Sequence, residues 1–302
     1  MKSHRYHIAD SASKSPAQRF WKHALILLTT ALFAGAANSQ VLTSGTFTTS
    51  SGAGGSGAQY SNCMIMSNGS SWSGGAVGVQ GNAATMVGGG SPLAANVTFQ
   101  FGIGSFVDTL NATYGIGNWT VSDIQLTVQY TLYANNTRFG SGPGTFDIYW
   151  VGNNNWVQGT NNPVYATSAS ALSSWSDGQA LVASEAYNWS TPSYSGTLSD
   201  LHDGLWVTDK TGALQSTTSY ALDSDPSLVN DITSASAADN SAVSLYLMAT
   251  SNTMGMTIFT GGGSTLPTLT FDVQAVPEPS AAALLIAGFT GFVVLRFKRR
   301  TV

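Results

Sequence analysis

Charge is what this sequence has least of. Lys and Arg number 11 and Asp and Glu 15, so 9% of its 302 residues are charged, where an ordinary soluble domain carries roughly a quarter. The cations are also crowded into the two ends. Between Gln40 and Val276 only Arg138 and Lys210 remain, against twelve Asp and Glu185, a formal charge of about −11. So few cations cannot neutralise phosphates, which excludes nucleic acid as a partner. The acidic excess reads as a thin soluble surface, because net charge governs solubility and non-specific contacts more than any one site.

Cysteine, histidine and glutamate are nearly missing as well. Cys63 is the single cysteine, so no intrachain disulfide can form, and a region of more than about 200 residues can bury enough surface without one. Past residue 40, His202 is the only histidine, which excludes a histidine-built zinc cluster within one chain. A Ser–His–Asp set could pair His202 with Asp200 or Asp203, but no Gly-x-Ser-x-Gly elbow is present to offer the nucleophile. Glycoside hydrolysis needs two acids flanking the scissile bond. Glu185 is the only glutamate of the middle region, with Asp108, Asp123, Asp147 and Asp177 as candidate partners at intervals that fix no geometry. The expectation is a protein without catalytic machinery.

The two ends are more explicit. Residues 1–23 are polar and basic, an apolar run follows from Ala24 to Ala34, and small residues continue through Gly35, Ala36, Ala37, Asn38 and Ser39. Those are the three parts of a secretory signal peptide, expected over 1–39, with cleavage after Ala36 or Ser39. It implies a Sec-type export machinery and a signal peptidase as partners. The far end reads Val276-Pro277-Glu278-Pro279-Ser280, then Ala281 to Leu295 without a charge, then Arg296-Phe297-Lys298-Arg299-Arg300. The prolines hold any helix to a start near Ser280. The uncharged run makes roughly 22 Å of helix, short of the roughly 30 Å hydrocarbon core, so a thin span over 281–297 relies on Arg296 snorkelling. The terminal cations favour the cytoplasmic side and leave the middle region outside.

The order Pro277-Glu278-Pro279, short apolar span, Arg296/Lys298/Arg299/Arg300 resembles the PEP-CTERM sorting signal of Gram-negative bacteria. The resemblance covers residues 276–302 together with a compatible signal peptide. It implies recognition by an exosortase-like membrane transpeptidase, passage through the inner membrane, and delivery to the cell envelope, surface or extracellular matrix of an exopolysaccharide-producing, biofilm-forming cell. It implies sorting, and nothing about what the delivered region does.

That region divides into a Gly/Ser-rich stretch over 40–95, either a lead-in or a set of first short strands, and a strand-rich domain over 96–275. Val97, Phe99 and Phe101 alternate with polar residues, as do Ile103 and Phe106 more loosely. Ile124, Leu126, Val128 and Tyr130 share one face, Phe146, Ile148 and Trp150 another, and Val243, Leu245 and Leu247 a third. Met256–Phe259 and 266–273 are further strand candidates. Period-two patterning with β-branched and aromatic residues marks strands, and a helix is expected only within 161–186. The fold class expected is all-β, a β-sandwich of possible jelly-roll form with Gly/Ser/Asn-rich loops, flanked by the signal helix and the C-terminal transmembrane helix.

Two kinds of site are conceivable on such a domain. Trp156 and Trp175 lie in polar surroundings and are the candidates for stacking on a glycan, exopolysaccharide included. Asp200, Asp203 and Asp209 form one acidic group and Asp223, Asp225 and Asp231 another, with Asp200, Asp203, Asp223 and Asp225 the candidate ligands. Their oxygens suit Ca2+ better than zinc, although neither group follows the EF-hand plan. Turn formation accounts for such aspartates equally well. The leading functional expectation is a non-catalytic envelope or matrix protein, ahead of a carbohydrate-binding surface module and, last, a polysaccharide hydrolase.

Overall fold

Alternating apolar residues become strands here, and strand accounts for 51% of the residues described against 16% for helix. The computed structural model describes residues 41–49, 62–86, 93–130, 140–157, 161–187, 216–239, 241–260 and 266–276. The expected signal peptide over 1–39, the Pro277-Glu278-Pro279 motif, the expected span over 281–297 and the basic tail all lie outside the described residues. Among the described residues no helix is long and apolar enough to cross a membrane. Those residues, Val276 apart, belong to one compact unit, Val41–Ala275.

In chain order the strands are β1 (Val41–Thr48), β2 (Asn62–Met66), β3 (Ser71–Trp72), β4 (Ala76–Gln80), β5 (Thr85–Met86), β6 (Ala95–Gly102) and β7 (Trp119–Tyr130). They continue with β8 (Gly140–Ser141), β9 (Gly144–Val151), β10 (Gln179–Tyr187), β11 (Ser216–Ala221), β12 (Ala242–Ala249), β13 (Gly255–Phe259) and β14 (Thr268–Ala275). Twelve of them form one antiparallel sheet in the order β1-β14-β7-β13-β4-β6-β12-β9-β10, with β11 also on β7, β2 also on β6, and β3 on β2; β5 and β8 pair separately. The Gly/Ser-rich stretch therefore contributes four strands, from β2 to β5, besides β1.

The sheet folds over on itself, sandwich-like. Phe146 of β9 meets Tyr220 of β11 edge-on at 5.3 Å, and Tyr130 of β7 meets Tyr187 of β10 at 5.0 Å. Neither pair of strands is adjacent in the sheet, so the two halves face each other across a shared core. Val97, Phe99 and Phe101 of β6, Leu245 and Leu247 of β12, Leu126 and Val128 of β7, and Leu269 and Phe271 of β14 all belong to that core. Burying an apolar side chain of this size contributes about 1.5–3 kcal/mol.

Strand β7 keeps its apolar residues inward by a bulge. Three steps from Ser122 to Gln125 oppose two steps from Asp272 to Thr270, and Asp123 takes φ of 49° to accommodate the extra residue. Both Val121 and Ile124 are thereby buried, although they are an odd number of positions apart.

Helices depart from the sequence expectation. Within 161–186 only α2 (Ala169–Leu172) forms, and the end of that stretch is β10; the longer helices are α1 (Gly104–Tyr114) and α3 (Pro226–Ser234). Ile103 and Phe106 read as loose strand alternation, but Ile103, Val107 and Leu110 share the spacing of one buried helical face. Helix α3 starts as a capped helix should: the Asp225 side chain accepts from Ser227 N, Pro226 opens the first turn, and Leu228 and Ile232 point inward four residues apart. Gly104 is obligatory, since a Cβ there would lie 2.5 Å from the Ser236 backbone.

Candidate functional site: a polar face under a strap

Strand β6 buries both faces. Its outward residues Asn96, Thr98 and Gln100 continue into Ser244 and Tyr246 of β12 and Tyr149 and Val151 of β9 through the cross-strand register. Cys63 and Ile65 of β2 complete the patch. All are covered by the connection between β9 and β10, residues 152–178. Its base is tied where Gly152 N donates to Gly178 O at 2.8 Å, and residues 158–160 lie outside those described.

The strap is held by apolar contacts of Trp156, Ala166 and Leu172 and positioned by hydrogen bonds. Near its start, Gln100 Nε2 donates to Asn154 O at 2.6 Å. Next, Trp156 Nε1 donates to Ser244 Oγ at 3.2 Å. In the middle, the Tyr246 hydroxyl donates to Val164 O at 2.8 Å and accepts from Ala166 N at 3.0 Å and Asn96 Nδ2 at 2.7 Å. Asn96 Nδ2 also donates to Ala166 O at 2.6 Å. The network around Tyr246 thus uses every hydrogen-bonding capacity of its hydroxyl, as burial requires. Desolvation dominates at this depth and pushes the Tyr246 hydroxyl well above its ordinary pKa.

A second clamp joins the strap to α3. Asp231 accepts from Trp150 Nε1 at 2.8 Å through Oδ2 and from Asn154 Nδ2 at 3.2 Å through Oδ1. Burial raises its pKa, and these two hydrogen bonds oppose the rise. In sequence Asp231 groups with Asp223 and Asp225 as an acidic cluster, not with Trp150 and Asn154, and Tyr246 and Gln100 have no evident role. The available signal was that β6 and β12 alternate apolar residues with Asn, Thr, Gln, Ser and Tyr and carry no charge, a pattern for a covered polar face rather than a solvated one.

Trp156 requires a correction. Its side chain is 1% exposed and packs with Cys63 and Ile65 beneath the strap, so it offers no face for a sugar. Asn154, two residues before it, is anchored to β6 through its carbonyl and to Asp231 of α3 through its amide, which brings the segment down onto the sheet. Trp175 is half-buried against Tyr246, ring centroids 6.2 Å apart. Trp150, expected in the core, packs at its margin, where its indole N–H reaches Asp231.

The other candidates do not assemble. Asp225 uses Oδ1 to cap α3, Asp223 is exposed, and the neighbouring Asp231 is committed to Trp150 and Asn154. Asp200, Asp203 and His202 lie outside the described residues. Among the described residues no three His, Cys, Asp or Glu side chains gather in a way that could hold a metal ion. Glu185 pairs across the sheet with Phe146, whereas Asp147 pairs with Ser184, which puts the two acids on opposite faces of the sheet. They cannot flank one bond. Asp147 instead accepts from Ser184 Oγ and Tyr149 Oη on the outer surface. Cys63 is wholly buried, and desolvation pushes its thiol up to about 12, which makes it inert as a nucleophile at neutral pH.

The covered face fixes the described residues of 152–157 and 161–178 to the sheet through directional bonds and apolar packing. Comparison with family models and with curated proteins gives no match for this chain.

Proposed function

We propose that this chain is a non-catalytic protein of a bacterial cell envelope or extracellular matrix, exported by its signal peptide and sorted by its C-terminal tail, with a β-sandwich ectodomain. One observation carries the reading: Pro277-Glu278-Pro279, an uncharged span and four terminal cations stand in that order behind a compact unit whose last residue is Ala275. Two further features support it. Asn96, Gln100, Ser244 and Tyr246 are engaged in holding the strap, and Glu185 faces away from Asp147 across the sheet. An exosortase-like transpeptidase is the processing partner under this reading. Immunodetection on intact and fractionated cells tests it: the protein is expected in the envelope or the medium, and a wholly cytoplasmic signal overturns it.

A further inference from the structure

Three neighbouring strand ends carry no charge, and the chain leaves the domain from one of them. Trp119, the first residue of β7, pairs with Ala275, the last of β14; Thr120 pairs with Gln274, and Gln274 pairs with Val41, the first residue of β1. Three strand ends therefore lie side by side. The turn Gly115–Asn118 precedes Trp119 directly, closed by Asn118 N donating to Gly115 O at 3.3 Å. Gly117 takes φ of 79° at its third position, the conformation of a type II turn, which puts Ile116 at the tip.

Ile116 is 85% exposed, Val41 46%, and Val276, the residue after β14, 41%. Those are three of the six large exposed hydrophobic residues among the described residues. Single exposed apolar residues need no explanation; three on neighbouring chain segments at one end do. The segments 41–49, 114–122 and 273–276 contain no charged residue. In a region of formal charge about −11 that is a gap in the acidic surface, and the closest acid on β14, Asp272, accepts from Ser44 Oγ at 2.6 Å. At the three strand ends themselves an anionic lipid surface meets no acid; the exposed Asp123 of β7 and the half-buried Asp272 of β14 lie next along the strands.

We infer that this end, with Ile116 at its tip and Val41 on the far side of β14, rests on the lipid bilayer while the unprocessed chain is held at the membrane. The occupant follows from the chain itself. Only Val276 separates Ala275 from Pro277, and the apolar run begins at Ala281, so five residues join β14 to it, a reach of at most about 18 Å fully extended. A folded domain on so short a connection has its exit end at the headgroups, where partly exposed apolar side chains gain by insertion. Docking there also presents the sorting motif at the level where a membrane enzyme works. This inference rests on the sorting-tail reading given above.

The test uses the full chain with a single environment-sensitive thiol probe, attached after Ile116→Cys or, as the control, Val157→Cys. Val157 is 56% exposed on the strap over the other half of the sheet, and Cys63 is buried and stays unlabelled. Each labelled chain is reconstituted into phosphatidylcholine–phosphatidylglycerol vesicles with and without brominated acyl chains. Expected is a blue shift and loss of most emission to the brominated lipid at position 116, with neither at position 157. A chain that floats with the vesicles while both probes report water overturns the docking and leaves the sorting-tail reading standing. A chain that does not float with the vesicles overturns both.

Discussion

The two faces of β6 are equally buried and differently held. Inward, Val97, Phe99 and Phe101 join the apolar core; outward, Asn96, Thr98 and Gln100 lie under the strap, where Asn96 and Gln100 hydrogen-bond to it. The inner face gains from area, which is non-directional and tolerates small shifts. The outer face adds geometry to a smaller apolar contact, and a hydrogen bond there contributes little while made and costs much when half of it is left buried. One strand thus teaches the difference between a core that sets stability and a cover that sets position.

Breaking the inner face should have the largest effect. Phe99→Ala removes a fully buried ring and should cost about 3–5 kcal/mol, read as a drop in the denaturant midpoint with the fold lost as a unit. A loss below about 1 kcal/mol would show that the two halves of the sheet do not share one core.

Breaking the outer face should be smaller and local. Tyr246→Phe leaves Ala166 N and Val164 O without the hydroxyl they share, at about 1–3 kcal/mol. Hydrogen exchange should quicken at Ala166 while amides of β6 and β7 keep their protection. Uniform loss of protection would mean the strap and the core are one cooperative unit. Ser244→Ala, which strips Trp156 Nε1 of its acceptor, should cost about 1 kcal/mol. Combined with Trp156→Phe it should add almost nothing further, because both changes remove the same bond.

The gentlest probe is pH. Burial holds the Asp231 pKa above its ordinary value, so the folded chain binds this proton more tightly than the unfolded one. The contribution of the group is fully present below the unfolded carboxylate pKa and is lost as pH rises through the raised folded value. Comparing midpoints of wild type and Asp231→Asn from neutral pH downward, wild type should gain on the variant as pH falls. A constant difference would mean that Asp231 titrates as if in water.

Strands were the legible part of this sequence. The face of Phe146, Ile148 and Trp150 belongs to β9, and the alternations at Val97 and Val243 are β6 and β12, because period two survives wherever one face of a strand is apolar. The helices were hidden by their brevity: α1 begins two residues after β6 ends, so its first turn read as a continuation of strand. The candidate site was the least legible part. Trp156 and Asn154 sit in an Asn-rich segment that looks like surface from sequence alone, and only the register of β6, β12 and β9 shows that a polar face waits beneath. A hydrogen bond between Trp156 and Ser244, 88 residues apart, leaves no local trace.

The ends carry the functional reading, and the intact mass of the mature chain from native cells tests it most directly. The mass is expected to correspond to a chain beginning after Ala36 or Ser39 and ending near Pro277-Glu278-Pro279, without the terminal Arg/Lys cluster. A full 302-residue chain as the accumulated form would contradict export and sorting together.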